Sequence, residues 1–435
     1  MKKIVCLTAS IWVVVTLLSI TSCHSTNLYD EEEYEKYLDY NSPVDSIDSR
    51  HEWLLTKMQY YTITANKGEN IEAVMILADN PLNSKTAVVL NQAQISEGES
   101  VALPVNHPLT QKSLYAALVD KGGKYYVTRF PCIQTTVDFS NSSIGTPSGL
   151  TLKPQTYSYI FEENFPLAGD YDYNDLVLQI GVEKDPEIPQ QVTLDVTLAA
   201  VGCTNQLAGL IRLLNCSYSD IESVITADGK TFNDNLPAGS NELMGNTDLF
   251  IKGQSNEAVI NLFSDAHWAM DPTQELTENS GSLVTRKYYN TSWNDSEQSE
   301  RRACRNQKYI ITFNTVEKAL EFTVQNLDPF IVTIYNGARY ETHRDELAAA
   351  QVLYKYNVEY RIKNLPWTFV VPMEKFRYPL EGVQIGFRKK TQTGAYAMFG
   401  AYVTRGHSFG EWVEDCQSNL DWYEYPTDEN EVWKF

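Results

Sequence analysis

The chain contains 435 residues, of which 56 are acidic and 35 are basic, and its formal net charge at pH 7 is −21. Because the phosphates of nucleic acids repel a protein this acidic, the charge argues against nucleic-acid binding and favours divalent cations or partners with basic surfaces. The chain is also too long for a single hydrophobic core, so two domains are expected.

The N-terminal residues have the layout of a signal peptide. Lys2 and Lys3 precede an uncharged apolar run at residues 4–20, and the run leads into the sequence ITSC. A charged start, an apolar centre and small residues before the cleavage site predict a signal peptide at residues 1–22. The ending resembles the lipobox of bacterial lipoproteins, and this resemblance implies acylation of Cys23. A plain cleaved signal and an uncleaved membrane anchor are the alternatives.

Residues 23–50 are predicted to form an acidic tether behind the lipid. The stretch DEEEYEKYLDY at 30–40 is strongly acidic and is expected to be solvated. His24 stands where an aspartate would favour the inner membrane, so the predicted location is the outer membrane, with membrane lipid as the partner of Cys23. Similar acidic residues follow the lipidated cysteine in Bacteroidetes lipoproteins exported to the surface, which extends the expectation to the cell surface.

Short runs of alternating apolar and polar residues come next, at intervals of about 8–14 residues. Each run is bounded by turn-forming residues and is predicted to be a strand: YYTITA (60–65), AVMILAD (73–79), TAVVLNQ (86–92), SVALPVN (100–106), LYAALVD (114–120) and KYYVTRF (124–130). Gly122 and Gly123 predict a hairpin turn. The pattern is typical of a β-sandwich and predicts an N-terminal domain at residues 51–146.

Residues 138–149 have few side chains that a core could bury, and they mark the predicted domain boundary. A second domain is predicted at 147–435, with one short helix at 344–356 (RDELAAAQVLYKY). Its predicted strands are YSYIFEE (157–163), DLVLQIGV (175–182), QVTLDVTLAAVG (191–202), EAVINLFS (257–264), KYIITFN (308–314), LEFTVQNL (320–327), FIVTIYN (330–336), WTFVVP (367–372), GVQIGF (382–387) and AYAMFGAYV (395–403). The predicted fold is therefore all-β, with two β-sandwich domains, the second one larger.

The cysteines do not predict a redox or zinc-ribbon site. Beyond Cys23 they stand at 132, 203, 216, 304 and 416, without any C-x-x-C spacing. Cys203 and Cys216 lie in apolar stretches and are expected to be buried thiols that act as small hydrophobic side chains.

The sequence GHSFG at 406–410 matches the G-x-S-x-G motif of serine hydrolases, with Ser408 at its centre. In that motif a histidine must follow the serine, but His407 is the last histidine of the chain. No H-E-x-x-H sequence occurs either. A carboxylate pair for glycoside hydrolysis stays open as a less favoured alternative, and the protein is predicted not to be an enzyme.

The stretch GDYDYNDLV at 169–177 concentrates oxygen ligands before a strand. In an extended or turning backbone, Asp170, Asp172 and Asn174 would share one side, and Asp175 adds a fourth oxygen donor. Carboxylate and amide oxygens at this spacing are typical ligands of calcium, although the EF-hand pattern stops after its third ligand position. Glu162 and Glu163 precede the stretch and would complete a different cage. A polar turn and a catalytic carboxylate pair remain the alternatives.

The longer segment FEENFPLAGDYDYNDLVLQI at 161–180 resembles the hallmark of LruC-domain proteins, and the region beyond resembles the domain of unknown function that completes them in Bacteroidetes lipoproteins. The landmarks of that second resemblance are Pro366–Trp367, Tyr378–Pro379, Glu381, Trp412 and Asp421–Trp422–Tyr423. The resemblance implies a cell-envelope β-sandwich protein, and it carries no enzymatic activity. The expected role is binding of a glycan or protein ligand in adhesion or capture, and a structural subunit of a pilus or envelope assembly is the alternative.

Overall fold

The computed structural model describes residues 44, 46–163, 169–234, 236, 246–274, 277–278, 284–296, 298–335, 338–344, 352–355, 358–361, 365–386, 395 and 407–435. The predicted signal peptide, Cys23 and most of the predicted tether lie outside these ranges. Strands make up 44% of the structure and helices 9%, which confirms the all-β prediction. Within the described ranges no helix is both long and apolar enough to span a bilayer.

The first two sheets use the strands up to residue 154. The three-stranded sheet has the order β4-β1-β7 and the six-stranded sheet the order β8-β6-β5-β2-β3-β9. The strands are β1 (Thr56–Thr64), β2 (Ile71–Leu77), β3 (Thr86–Gln94), β4 (Ser100–Pro108), β5 (Ser113–Asp120), β6 (Tyr125–Pro131), β7 (Thr136–Val137), β8 (Ser143–Gly145) and β9 (Thr151–Pro154). Each of the six predicted runs in this region overlaps one of the strands β1 to β6.

The region of the predicted domain boundary takes part in the first sandwich. Phe139 is fully buried, and β8 pairs with β6 on one edge of the larger sheet. Strand β9 pairs in parallel with β3 on the other edge. The first sandwich therefore includes one strand, β9, beyond residue 146, and Ser42–Phe435 forms one compact unit. The division at 146/147 stays a prediction.

The second sandwich packs a six-stranded sheet, ordered β14-β21-β12-β11-β10-β26, against a five-stranded sheet, ordered β15-β16-β13-β22-β23. Its strands are β10 (Thr156–Phe161), β11 (Leu176–Lys184), β12 (Gln191–Ala200), β13 (Ala208–Ser217), β14 (Ile221–Thr226), β15 (Phe250–Lys252), β16 (Glu257–Phe263), β21 (Arg305–Phe313), β22 (Leu327–Tyr335), β23 (Ala338–His343) and β26 (Thr368–Val371). Short pairs are formed by β17 (Thr277–Glu278) with β18 (Val284–Thr285), β19 (Tyr288–Tyr289) with β20 (Ser299–Glu300), and β24 (Val352–Lys355) with β25 (Val358–Arg361).

Three short α-helices occur in the described ranges, where one was predicted: α1 (Ala266–Met270), α2 (Val316–Glu321) and α3 (Phe409–Glu414). The predicted helix at 344–356 is wrong at its C-terminal end, because residues 352–355 are strand β24. Residues 345–351 lie outside the described residues. Pairing with β25 overrides the helical propensity of the local sequence.

Two predicted strands are also wrong. Residues 320–327 contain the end of α2 and a 3-10 turn at Val324–Asn326, both capped by threonine side chains that satisfy the free backbone amides. The described residues of 382–387 form a turn and bends, and the amide of Ile385 donates to the carbonyl of Tyr171 in the loop before β11 instead of pairing with a strand. The predicted strand at 395–403 lies outside the described residues, apart from Ala395.

The six-stranded sheet of the second sandwich is buried on both faces. Leu176, Leu178 and Ile180 of β11 face the five-stranded sheet, whereas Val177 belongs to a second core on the opposite side. That second core is rich in aromatic residues and is built from the C-terminal segments, with Trp412, Trp422 and Phe376 as members. A strand buried on both faces is uniformly apolar, so β11 shows no alternation.

The end of the predicted tether is packed against the folded protein. Val44, Trp53 and Leu55 are members of the aromatic core, and the amide of Asp48 donates to the carbonyl of Val413 at 2.9 Å. Trp53 stacks on the His51 ring at 3.9 Å between centroids. The N-terminal segment is therefore bound to the second sandwich before the chain enters the first one.

A buried charge network joins β13, β22 and β23. Asp328 is fully buried, accepts from the Arg212 guanidinium at 2.7 Å and lies 2.8 Å from Nδ1 of His343. On the other side of the ring, Nε2 lies 3.1 Å from Glu341. Burial disfavours the imidazolium, but the hydrogen bonds to Asp328 and Glu341 outweigh it and raise the pKa of His343 to about 9. The imidazolium is therefore the form present at neutral pH.

This network predicts a loss of stability at alkaline pH. A folded-state pKa above the usual 6.5 means that the contribution is complete below pH 6.5 and disappears as the pH rises through about 9. We expect His343→Gln to lower the free energy of unfolding by about 2 kcal/mol at pH 6.5 and by much less at pH 10. Urea unfolding of both proteins at the two pH values measures this difference, and an equal loss at both would contradict it.

Candidate functional site

The predicted ligands lie in the loop between β10 and β11, at one end of the six-stranded sheet. Phe161 and Leu176 are the last paired residues, so the loop begins at Glu162 and returns at Asp175. Tyr171 and Tyr173 have positive φ angles of 64° and 53°. Such angles are uncommon for residues other than glycine, so the backbone coils back on itself here and is not extended.

Glu162, Asp170 and Asp172 form one group of carboxylates. One oxygen from each lies within 4.8 Å of the others. Two backbone amides hold this group: the amide of Tyr173 donates to Oε1 of Glu162 at 2.8 Å, and the amide of Gly382 donates to Oδ2 of Asp172 at 2.8 Å. Glu162 and Asp172 are each only 1% exposed, whereas Asp170 is exposed, so the group opens to solvent beside Asp170.

Glu163 and Asp175 belong to a second group, together with the thiol of Cys203. One ligand atom from each of the three lies within 4.8 Å of the others. The amide of Glu163 donates to Oδ2 of Asp175 at 2.7 Å, and the side-chain amide of Asn205 donates to Oε1 of Glu163 at 2.9 Å. The structure thus divides the predicted acidic residues between two neighbouring groups.

Asn174 is fully buried between distant segments. Its side-chain amide donates to the carbonyl of Pro379 at 3.1 Å, and its backbone amide donates to Oδ1 of Asp172 at 3.2 Å. The backbone of Gly202 packs directly against it, since a Cβ at Gly202 would lie 1.9 Å from Oδ1 of Asn174 and 2.6 Å from its carbonyl oxygen. Only glycine fits at this position.

Glu381 is a further carboxylate that sequence reasoning did not assign to the site. Its backbone amide donates to the carbonyl of Thr291 at 2.9 Å, and the neighbouring Gly382 contacts Asp172. Burial, together with the charge of Asp170, raises the pKa of Glu381 to about 8. The only sequence signal for this residue was its place among the landmarks of the family resemblance, because it is separated from the loop by more than 200 residues.

The burial of these six carboxylates disfavours their ionised form unless a proton or a cation offsets the charge. Burial, reinforced by the neighbouring carboxylates, raises the pKa of Glu162, Asp172 and Asp175 well above the usual range. Burial raises the pKa of Glu163 to about 7, although the hydrogen bond from Asn205 acts to lower it. In the described ranges no lysine, arginine or histidine forms an ion pair with any of the six. A buried carboxylate without a partner must be protonated or bound to a cation.

Unpaired oxygens mark where that cation would bind. Within the described ranges, four side-chain oxygens are buried without a hydrogen-bond partner: Oε2 of Glu162, Oε2 of Glu163, Oδ1 of Asn174 and Oε2 of Glu381. Native structures leave few such atoms unsatisfied. A cluster of carboxylate and amide oxygens with free lone pairs fits a hard cation such as calcium, whereas a polar turn would satisfy these oxygens with backbone amides.

The GHSFG motif has a structural role. Ser408 caps helix α3, with its hydroxyl accepting from the amide of Glu411 at 3.1 Å and donating to the Glu411 carboxylate at 3.2 Å. A short helix, α3, follows the serine. His407 binds Asp421 at 2.9 Å and stacks on Tyr425, so its ring is engaged away from Ser408.

The profile of a family described as "Domain of unknown function (DUF4842)" matches residues 190–423, which is more than half of the chain. The chain belongs to the DUF4842 family. Within the DUF4842 match lie Gly202, Cys203, Asn205 and Glu381, whereas the loop at 162–175 precedes it. The candidate site therefore joins the DUF4842 region to the segment in front of it.

One solved structure similar to this DUF4842 protein is that of a "Putative lipoprotein from Bacteroides ovatus". The two chains are 14% identical, the alignment covers 85% of this chain and 100% of the other, and the TM-score is 0.46. No curated protein matches the chain.

Proposed function

We propose that this DUF4842 protein is a non-enzymatic lipoprotein of the cell envelope whose loop at 162–175 binds calcium. The observation that carries the calcium site is the group formed by Glu162, Asp170 and Asp172, with Asn174 and Glu381 beside it. Each of the three carboxylates places one oxygen within 4.8 Å of the others, and Oε2 of Glu162 is buried without a hydrogen-bond partner in the described ranges. Calcium binds six to eight oxygens, and solvent reaches the group beside Asp170 to complete the shell.

Calcium titration by calorimetry tests this site directly. We expect the purified protein, stripped with chelator, to bind calcium with measurable heat, and Glu162→Gln to lose most of the affinity because the group loses a charged oxygen. The matched control is Glu187→Gln, since Glu187 is exposed and lies in a turn after β11. A calcium titration without heat in the unmodified protein would show that the loop is only a polar turn.

The lipoprotein assignment rests on the N-terminal sequence. We expect Cys23→Ala to leave the protein soluble or mislocalised, and absent from the outer membrane, without unfolding it, because the apolar residues that could otherwise anchor it all lie before residue 23. Fractionation of cells that carry the variant, with outer-membrane markers as reference, measures this. Unchanged recovery of Cys23→Ala in the outer-membrane fraction would contradict lipid attachment at this residue.

The LruC resemblance of residues 161–180 supports the same location, since LruC-type proteins with this C-terminal domain are envelope lipoproteins. Within that setting the proposed role is capture of a glycan or protein ligand. A cavity of about 280 Å³, lined by His51, Trp53, Gln325, Arg344 and Thr368, combines aromatic and polar side chains in the way that small ligands and sugars require. A glycan array tests the role, and a protein that binds no glycan on it would leave only the protein-ligand form of the proposal.

The edge strands of the first sandwich give little support to the alternative that the protein is a structural subunit of an assembly. A subunit that assembles by strand addition needs a long uncovered edge. In the first sandwich, β7, β8 and β9 have two, three and four residues. Strand β4 has nine, but residues 103–107 in it are buried. These edges favour a binding role over strand-exchange assembly.

A further inference from the structure

Glu163 follows Glu162 directly, yet its side chain belongs to the other group of ligand atoms. In that group Glu163, Asp175 and Cys203 are 8%, 7% and 2% exposed, so all three are shielded from solvent. We call this the inner group, and the group of Glu162, Asp170 and Asp172 the outer group. Both groups place three ligand atoms within 4.8 Å of one another.

The carboxylate oxygens of Glu163 are the evidence that the inner group binds a ligand. Asn205 occupies Oε1 of Glu163, which leaves Oε2 as the oxygen available to Asp175 and Cys203. Within the described residues no backbone or nitrogen donor reaches this buried Oε2, and the thiol of Cys203 is the group that lies beside Glu163. An acidic cluster by itself would not indicate a site, but a buried carboxylate oxygen left without a partner costs free energy unless something binds there.

A single divalent cation leaves most of the charge uncompensated. The two groups contain five carboxylates, with Glu381 beside the outer group, and calcium in the outer group would offset only two charges. Glu162 and Glu163 are consecutive residues that belong to different groups, so carboxylates of the two groups lie side by side and repel each other wherever they are ionised. A second cation between Glu163 and Asp175 would remove this repulsion.

The thiol of Cys203 decides what kind of cation fits. Calcium binds hard oxygen ligands and does not select sulfur. A thiolate with two carboxylates, and a position left for water, is the ligand set of a thiophilic divalent ion, and such ions prefer four ligands in a compact shell. Asn205 then orients Glu163 through its hydrogen bond, as residues that contact metal ligands generally do.

We propose that Glu163, Asp175 and Cys203 form a second, inner cation site that takes a divalent ion of the zinc class, beside the calcium in the outer group. Binding forms a metal–sulfur bond and releases the thiol proton to solvent. The inference rests on the proposed metal-binding function of the loop, but it concerns different residues and a different ion, so the two can fail separately.

Cobalt titration tests the inner site, because cobalt replaces zinc and reports a thiolate ligand by a charge-transfer absorption band. We expect the stripped protein to bind one Co²⁺ with this band, and zinc to abolish it by displacement. Excess calcium should leave the band unchanged. Cys203→Ser should lose the band, whereas Cys216→Ser, at a half-buried thiol outside both groups, should keep it.

Two further variants separate the sites even if Cys203→Ser folds poorly. Glu163→Gln should weaken cobalt binding at least tenfold while calcium binding persists, and Asp172→Asn should do the opposite. A titration of the unmodified protein without any thiolate band would overturn the inner site, since the group would then hold only shared protons. A cobalt band together with absent calcium binding would overturn the calcium proposal and leave the inner site standing.

Discussion

Gly202→Ala is expected to destabilise the protein by about 3 kcal/mol and to abolish calcium binding. The added Cβ would lie 1.9 Å from Oδ1 of Asn174, 2.6 Å from its carbonyl oxygen and 3.0 Å from its carbonyl carbon. A side-chain atom can rotate away, but the backbone of Asn174 can move only if the loop between Asp172 and Asp175 moves with it. Forced overpacking of this kind typically costs about 1–3 kcal/mol, and a clash with backbone lies at the upper end.

Thermal unfolding and calcium calorimetry measure both effects of Gly202→Ala. A loss of about 3 kcal/mol corresponds to a fall of roughly 5 °C in melting temperature for a chain of this size. Gly122→Ala is the matched control, because Gly122 is in an exposed hairpin turn and its added Cβ would meet only the side chain of Asp120, at 3.1 Å. A Gly202→Ala protein that melts and binds calcium like the unmodified protein would show that the loop does not depend on this close approach.

Chelation is expected to lower the melting temperature by about 5 °C, and excess calcium is expected to raise it again. A bound ion stabilises the folded state by RT ln(1 + [L]/Kd), which is about 2.7 kcal/mol at a hundredfold excess over Kd. For a chain of this size that free energy corresponds to roughly 5 °C. The physical reason is that buried carboxylates of the outer group, including Glu162 and Asp172, repel each other without a cation.

Asp172→Asn should lower the melting temperature only when calcium is present. With calcium the variant should melt below the unmodified protein, because it lacks a ligand, whereas in EDTA it should melt no lower, because one repelling charge is gone. Asp248→Asn, at an exposed aspartate outside the site, should change neither curve. Identical melting curves of the unmodified protein in EDTA and in millimolar calcium would refute a stabilising ion.

The strands show what local sequence can predict. The alternating runs TAVVLNQ and QVTLDVTLAAVG correspond to strands β3 and β12. Such runs predict strands well because apolar residues at every second position all lie on the buried face of a sheet. The helix predicted at 344–356 is wrong at 352–355, because these residues pair with another strand. The strand predicted for LEFTVQNL is wrong because its apolar residues are buried from the end of a helix and from a 3-10 turn. In each failure the hydrophobic residues were recognised correctly, but the element that buries them was not.

The sequence by itself determined the all-β class and the place of the candidate site. Asp170, Asp172, Asn174 and Asp175 lie within six positions, so covalent connection alone keeps their oxygens close and makes the cluster visible in the sequence. Glu162 and Glu163 also lie close to this cluster, because they follow β10, the cluster precedes β11, and these two consecutive strands pair antiparallel.

Only the tertiary structure decided which ligands share a site. Gly202, Cys203 and Asn205 reach the loop because β12 pairs with β11, and Glu381 reaches it because the C-terminal segment covers the outer face of the same sheet. Such contacts join residues up to about 220 positions apart, and they form because burying both faces of the sheet is favourable, whatever the residues at its end. No local pattern records them, so the division into an inner and an outer group exists only in the folded chain.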